Sequence, residues 1–417
     1  METILTTMKE NIIHKTQCRI CAGSDLIKVL DLGKMPLANA FLEEGALSKT
    51  EEKFPLVVYF CKNCALLQLL DVVNPEILFR HYDYCTSASK PLADHFRQSG
   101  EQLAARFVKS PGDLVVEIGG NDGVLLAAIK DKCRALNIEP ARNIADISRQ
   151  KGIETINDFF SDDLAGQIVR KYGSARLVVA NNVIAHIDDI KNVFAGVKNL
   201  LADDGAFVFE AHWVGNLIGE GGFDQIYHEH LCYFSLSSLS YLTKQFGLEI
   251  FDVELVPIHG QSMRVYVGKE KNKLEAVDRF LEEEKKLGLL NVDTFLKFAA
   301  RVENNSKKLH DLLVLLKSEG KMVVGYGAPA KGNTLLNYYK IDASLTSFII
   351  DTTPLKQGLY TPGSRIKIYP PCKLKETRPD YLLLLAWNYA DAIMANEKEF
   401  SGRGGKFIIP VPDVKVV

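Results

Sequence analysis

Two pairs of cysteines, Cys18-Arg19-Ile20-Cys21 and Cys61-Lys62-Asn63-Cys64, constrain the first quarter of this chain more than any other feature. A CxxC spacing lets two thiolates at one tight turn face one ion. Two such knuckles supply the four soft ligands of a closed tetrahedral zinc site. The 39 residues between the pairs exceed the needs of a compact zinc ribbon, so that stretch should hold structure of its own. With four protein ligands no coordination position stays open, and the zinc is expected to be structural. Cys85, Cys133, Cys232 and Cys372 have no such partners and read as packing thiols. Residues 1–80 carry nine Lys or Arg against ten Asp or Glu, with no basic stripe, so no nucleic-acid partner is expected.

Beyond this module the chain is long. At 417 residues it exceeds what one hydrophobic core serves, which predicts two or three domains. Fifty basic against 52 acidic side chains leave no overall attraction to nucleic acid or anionic lipid. The longest strongly apolar run, Tyr381 to Trp387, falls far short of a membrane span, so no membrane partner is expected. No apolar signal region stands in the first twenty residues, and a cytoplasmic location is the expectation.

After a Tyr- and Ser-rich stretch at residues 80–89 and an amphipathic helix from Pro91 to Val108, the pattern becomes strand, Gly-rich turn, helix. Leu114 to Ile118 reads as a short apolar strand, Gly119 to Gly123 as the turn, and Val124 to Lys130 as the helix start. Further strands at Ala135–Ile138, Leu177–Ala180 and Ala206–Glu210 predict a doubly wound parallel sheet. Residues 274–319 are helical and heavily charged, with Glu282 to Lys286 read as solvated helix faces. A second strand-turn-helix follows at Met322 to Asn333, with strands expected at 347–350, 381–385 and 406–409. The expected architecture is therefore α/β: a zinc-binding domain (1–85), a central Rossmann-like domain (86–256) and a C-terminal α/β domain (257–417).

The first turn departs from a dinucleotide fingerprint, because Gly123 follows Gly119 by four positions and not five. An acid at the strand end followed by GxNxG resembles the first motif of class I S-adenosylmethionine-dependent methyltransferases. Gly119, Asn121 and Gly123 would let the backbone approach the cofactor, and Glu117 suits the cationic methionine end. Glu139, at the end of the next strand, is placed to accept ribose hydroxyls. Asp158 and Phe159 could flank adenine, and Asn181 ends the fourth strand, ahead of His186.

Tyr227-His228-Glu229-His230 is the densest ionisable cluster. Acid–base work near neutral pH suits histidine, and a phenol suits a developing oxyanion. HEH lacks the i, i+4 spacing of helical zinc proteases, and on a strand both imidazoles would share one face. Spacing alone does not choose between His228 and His230.

Taken together, the two CxxC pairs, EIGGNDG, NIEPARNIA, ANNVIAHIDD, FDQIYHEHLCYFS and GYGAPAKGNTLLNY resemble the nucleotide-sugar C-methyltransferases, from Cys18 to about Asn388. The resemblance implies structural zinc, S-adenosylmethionine, and methylation of a ring carbon of a TDP-linked deoxysugar. It implies His230 as base, with His186, Tyr227, Glu229 and a linker tyrosine, Tyr82 or Tyr84, lining the site. His228, Arg264, Lys331 and Asn333 are then expected to reach the nucleotide sugar. The stretch His259 to Arg264 departs from the GGS that relatives often carry. The chain is expected to act as a monomer or small homo-oligomer. Rival readings are an O- or N-methyltransferase, a non-catalytic zinc-containing binding module, and an NAD-dependent oxidoreductase, the last disfavoured by the missing third glycine.

Overall fold

A computed structural model describes residues 11–80, 85–257 and 262–417. By contact they divide into two units. One comprises the described residues of Met1–Leu26, Phe60–Val214 and Leu231–Leu290; the other comprises Ile27–Tyr59, Gly215–His230 and the described residues of Asn291–Val417.

Among its described residues the first unit carries a seven-stranded sheet: β1 (Leu114–Ile118), β2 (Arg134–Ile138), β3 (Glu154–Ile156), β4 (Ala175–Asn181), β5 (Leu201–His212), β6 (Glu249–Val256) and β7 (Ser262–Gly268). They lie in the order β6-β7-β5-β4-β1-β2-β3. β1 is buried at all five positions, as a strand covered on both faces must be, and is apolar except for Glu117. The doubly wound expectation holds from β1 to β5, whose neighbours are parallel. It needs two corrections. β7 runs antiparallel to both β5 and β6. It also lies past residue 256, because the all-buried Ser262–Gly268 completes this sheet. Helix α1 (Lys90–Phe107) buries Leu92, Phe96, Leu103 and Ala104, spaced to make one face, against a core that includes Val115, Leu177 and Val208. Strand order reverses at β1, with β2 on one side and β4 on the other, so the crevice beyond their carboxyl ends is where such a sheet holds its ligand.

One charged residue departs from the solvated-face reading. Glu284, in a helix spanning Glu275–Lys286, is fully buried. It accepts hydrogen bonds from Trp213 Nε1, the Leu236 and Ser237 amides and the Ser237 hydroxyl. The first two amides of helix Leu236–Lys244 thus meet a carboxylate, the favourable sign for a helix N-terminus.

The second unit carries its own sheet: β8 (Val323–Tyr326), β9 (Ile349–Ile350), β10 (Ile368–Tyr369), β11 (Tyr381–Leu384), β12 (Lys406–Ile409) and β13 (Lys415–Val416), ordered β10-β9-β8-β11-β12-β13. All neighbours are parallel except β12 and β13. A second order reversal therefore falls at β8, beside the turn that leads into helix Ala330–Tyr338.

Candidate active site and metal centre

The four cysteines of the two knuckles converge in the first unit. Their sulfurs all lie within 4.8 Å of one another, with Cys18 and Cys64 at 3.5 Å and Cys21 and Cys61 at 3.4 Å. Tetrahedral zinc with Zn–S near 2.3 Å places sulfurs about 3.8 Å apart, so the set fits that ion. Both knuckles fold alike. The residue after each second cysteine takes a left-handed conformation, Ala22 at φ 56° and Ala65 at φ 57°. Its amide returns 2.9 Å to the carbonyl of the first cysteine. Hydrogen bonds from Cys61 and Cys64 pull the Cys18 thiol down to about 2, while the same contact with Cys18 helps push Cys61 up to about 12. A dication at this set would favour the thiolate form of all four ligands.

At the carboxyl end of β1 the cofactor motif forms a turn of residues 119–123. Gly119 (φ 62°) and Gly123 (φ 73°) are left-handed, and a Cβ on Gly119 would stand 2.6 Å from Val183. Asn121 shares that conformation at φ 50°. Glu139 is buried, and its carboxylate takes the Asn121 and Ala141 amides, each at 2.9 Å. Each oxygen keeps a lone pair for a further donor. Burial raises the Glu139 pKa despite those two amides. Glu117 is pushed well above the carboxylate range by burial, then by Asp122 and Glu139.

Several polar atoms here are buried without a hydrogen-bond partner: Glu117 Oε2, Asn181 Nδ2, and both amide atoms of Asn182. Native proteins rarely leave such groups unmet, and this set suits a polar ligand with a cationic end. A neighbouring cleft of about 560 Å³ is lined by Glu76, Arg80, Arg142, Asn157 and Asp158. Asn157 ties it to the Glu139 and Pro140 carbonyls. Asp158 is exposed, and Phe159 lies under the Arg80 guanidinium at 4.6 Å.

His186 ends a short 3₁₀ turn after β4, 5.8 Å from the Phe79 ring. Burial, then the neighbouring His212, lowers its pKa to about 4. A backbone bond of 2.8 Å joins the residues bracketing two motifs: Leu231, after His230, donates to Ala185, before His186.

In the second unit, residues 227–230 form a turn and not a strand, so the strand alternation that would put His228 and His230 on one face does not apply. His228, 1% exposed, has Nε2 at 3.2 Å from the Phe54 carbonyl and sets its ring edge-on to Phe54. His230 Nδ1 stands 2.8 Å from the Gln225 carbonyl. A carbonyl only accepts, so Nδ1 carries the proton and Nε2 holds the basic lone pair. The Tyr227 ring lies 4.0 Å from the His230 ring. Glu229 Oε1 accepts from Asn39 Nδ2 at 2.7 Å. Asn39 was not foreseen, since it lies 190 residues away in a segment without a motif.

Tyr82 and Tyr84 lie outside the described residues. Arg264, expected to reach the substrate, has internal partners for its donors. It is 4% exposed on β7 and donates to Glu210 through Nε and Nη2, to Ser99 through Nη2 and to Glu254 through Nη1. Those donors serve an internal ion network that His95 joins through Glu210. Asn333 is likewise turned inward, donating 2.7 Å to the Ala38 carbonyl. Lys331 sits 3.9 Å over the Trp387 ring, and burial lowers its pKa against the pull of Asp224 and Glu220.

Three family models match the chain: a zinc binding domain over residues 18–79, a methyltransferase domain over 92–253, and the C-methyltransferase C-terminal domain over 257–412. A relative from Streptomyces niveus, C-methyltransferase NovU, is 39% identical over 405 residues, 96% of each chain. Among solved structures, the complex of the Haloferax volcanii Trm112 methyltransferase activator with a methyltransferase includes a chain 14% identical to this one. The match covers 43% of this chain and 93% of that one, with a TM-score of 0.35. Magnesium protoporphyrin IX methyltransferase from Synechocystis with bound S-adenosylmethionine is 12% identical over 42% of this chain and 79% of that one, with a TM-score of 0.32.

Proposed function

The chain belongs to the C-methyltransferase family, as an S-adenosylmethionine-dependent enzyme with a zinc-binding module, and on that premise we propose that it methylates C3 of a TDP-linked 4-keto deoxysugar. A 4-keto group acidifies the neighbouring C–H, which makes carbon a nucleophile once a base is at hand. His230 Nε2 takes the proton. Its Nδ1–H bond to the Gln225 carbonyl supports this role, because it fixes the tautomer and steadies the imidazolium that forms. The negative charge moves to O4, where Tyr227 and a linker tyrosine, Tyr82 or Tyr84, donate. His186, neutral near pH 7 by its lowered pKa, donates one ring N–H. Glu229, held by Asn39, orders the turn. When bound, the cofactor would supply a methyl group on a cationic sulfur; the turn 119–123, Glu117, Glu139 and Asn181 would hold it, and Asp158 and Phe159 would serve its adenine. Lys331 is the residue of the C-terminal module that we assign to the nucleotide sugar.

The observation that carries this reading is the His230–Gln225 hydrogen bond, with the His228 ring committed to Phe54. The test is His230→Asn assayed with labelled S-adenosylmethionine and a panel of 4-keto sugar nucleotides. Cofactor affinity should stay, turnover should fall roughly 10²–10⁴-fold, and exchange of the C3 proton into deuterated water should stop. Near-normal turnover in that variant beside an inactive His228→Asn would transfer the role to His228. An O-methyltransferase reading would be favoured by methylation of a substrate without a keto group.

A further inference from the structure

Arg19 stands inside the first zinc knuckle, between Cys18 and Cys21, and its side chain has no exposed surface. Its Nε donates 3.0 Å to Asp188 Oδ1, and Nη1 donates to Gln68 Oε1 at 3.2 Å and to the Leu69 carbonyl. Lys15 holds the other Asp188 oxygen at 2.7 Å. From Leu69 the connection continues through the backbone. The Leu69 amide donates to the Leu231 carbonyl at 2.9 Å, and the Leu231 amide donates to Ala185 at 2.8 Å. The segment from Ala185 to Asp188, with His186 inside it, is thus gripped at both ends by groups that lead back to one guanidinium.

This arrangement is a poor way to gain stability. Burying a guanidinium is costly, Nη2 has no hydrogen-bond partner, and the Asp188 side chain is 31% exposed. Apolar residues of similar volume often serve stability as well or better, whereas a planar fork fixes position. Zinc on Cys18 and Cys21 would anchor the backbone on either side of Arg19, so the fork has a rigid root.

We propose that Arg19 is a positioning residue for His186, transmitting the order of the zinc knuckle to the segment that carries this imidazole. The proposal rests on the reading of His186 as a site residue, and its test separates the two. In full-length, zinc-loaded Arg19→Met, zinc stays at one per chain and cofactor affinity stays within about twofold, the scale of a small fraction of 1.4 kcal/mol. Turnover falls about tenfold or more with a smaller change in KM, and the ¹⁵N imidazole resonances of His186, assigned with His186→Gln, move. Arg19→Lys, which keeps the charge to Asp188 but loses the fork, recovers part of the rate. A folded, zinc-loaded Arg19→Met with unmoved resonances and unmoved turnover overturns the proposal. Where Arg19→Met does not fold, Asp188→Asn replaces it, with the same signature expected and the same null result overturning it. If His186→Gln turns over normally, the site reading of His186 fails, while a resonance shift in Arg19→Met still upholds the coupling.

Discussion

The two Gly-rich turns of this enzyme are wired almost identically, yet they differ in length and in how they are filled. In the first unit Gly119 donates 2.7 Å to the carbonyl of Ile138, the residue before Glu139. In the second, Gly327 donates 2.7 Å to Ile350, the residue before Asp351. Both glycines are left-handed, at φ 62° and 84°. Glu139 takes amides from Asn121 in the turn and Ala141 two residues on; Asp351 takes those of Ala328 and Thr353 in the same way. The difference lies in length and filling. The first turn runs through residues 119–123 before its helix, the second only through 327–329. Around the first, buried polar atoms wait without partners. The second also has unpartnered atoms, Asn333 Oδ1 and Thr334 Oγ1 in its helix, but its turn is packed by the protein: Lys356 donates 2.7 Å to the Ala328 carbonyl, and a Cβ on Gly325 or Gly332 would press on Ile349 at 2.7 Å or Leu385 at 3.1 Å. Glycines and a strand-end acid therefore specify a strand-turn-helix corner, and turn length with the packing around the glycines separates the two corners.

The strongest way to break this contrast is to fill each glycine in turn. Gly119→Ala forces a Cβ against Val183, next to Asn182, whose side-chain amide has no partner, in a backbone region that L residues avoid. Strain of about 1–3 kcal/mol that a bound cofactor must bear predicts roughly 5- to 150-fold weaker S-adenosylmethionine binding by calorimetry. Gly327→Ala meets Ala386 at 3.0 Å and is left-handed too, so its melting temperature should fall, with cofactor affinity unchanged. Equal losses of affinity in the two variants would end the distinction.

The contrast also explains what was legible in the sequence. Paired CxxC knuckles, the apolar strand Leu114–Ile118 and Glu139 announced themselves because spacing and period are local properties. The turn at Tyr227–His230 did not: three polar residues in a row carry no period, and tertiary contacts with Phe54 and Asn39 pull its side chains to different partners. The internal partners of Arg264 and Asn333 were not legible for a related reason. Their motif position suggested ligands, but Glu210 and the Ala38 carbonyl, distant in sequence, take their donors. Arg19 was invisible because its meaning depends on Asp188, 169 residues away.

A smaller effect separates the two acids. Removing either carboxylate leaves two backbone amides unsatisfied, at roughly 1–3 kcal/mol each where they stay buried. Glu139→Ala should add to this a loss of about tenfold or more in cofactor affinity, since hydrogen bonds to a charged acceptor contribute roughly 1.5–3 kcal/mol. Asp351→Ala should lower the unfolding midpoint alone. Calorimetry on both, with denaturant melts alongside, checks the pair, and unchanged affinity in Glu139→Ala would take the ribose contact away from it.

The smallest expected effect is a pH dependence that only the first turn can have. Two residues before Gly119 stands Glu117; two residues before Gly327 stands Gly325, which has nothing to titrate. Burial holds the Glu117 pKa well above its ordinary 4.5. A carboxyl whose folded pKa is raised binds its proton more tightly in the folded state. Its favourable contribution is therefore present at low pH and is lost as pH rises from about 4.5 through the folded value. A cationic ligand favours the ionised form and reverses that trend. S-adenosylmethionine affinity should accordingly tighten as pH rises through the same window, by at most about tenfold per unit for one proton. S-adenosylhomocysteine, whose thioether sulfur is uncharged, should show a weaker slope, and Glu117→Gln should flatten the slope for S-adenosylmethionine. Parallel slopes for the two ligands in the unmodified enzyme would mean that Glu117 does not sense the sulfonium charge.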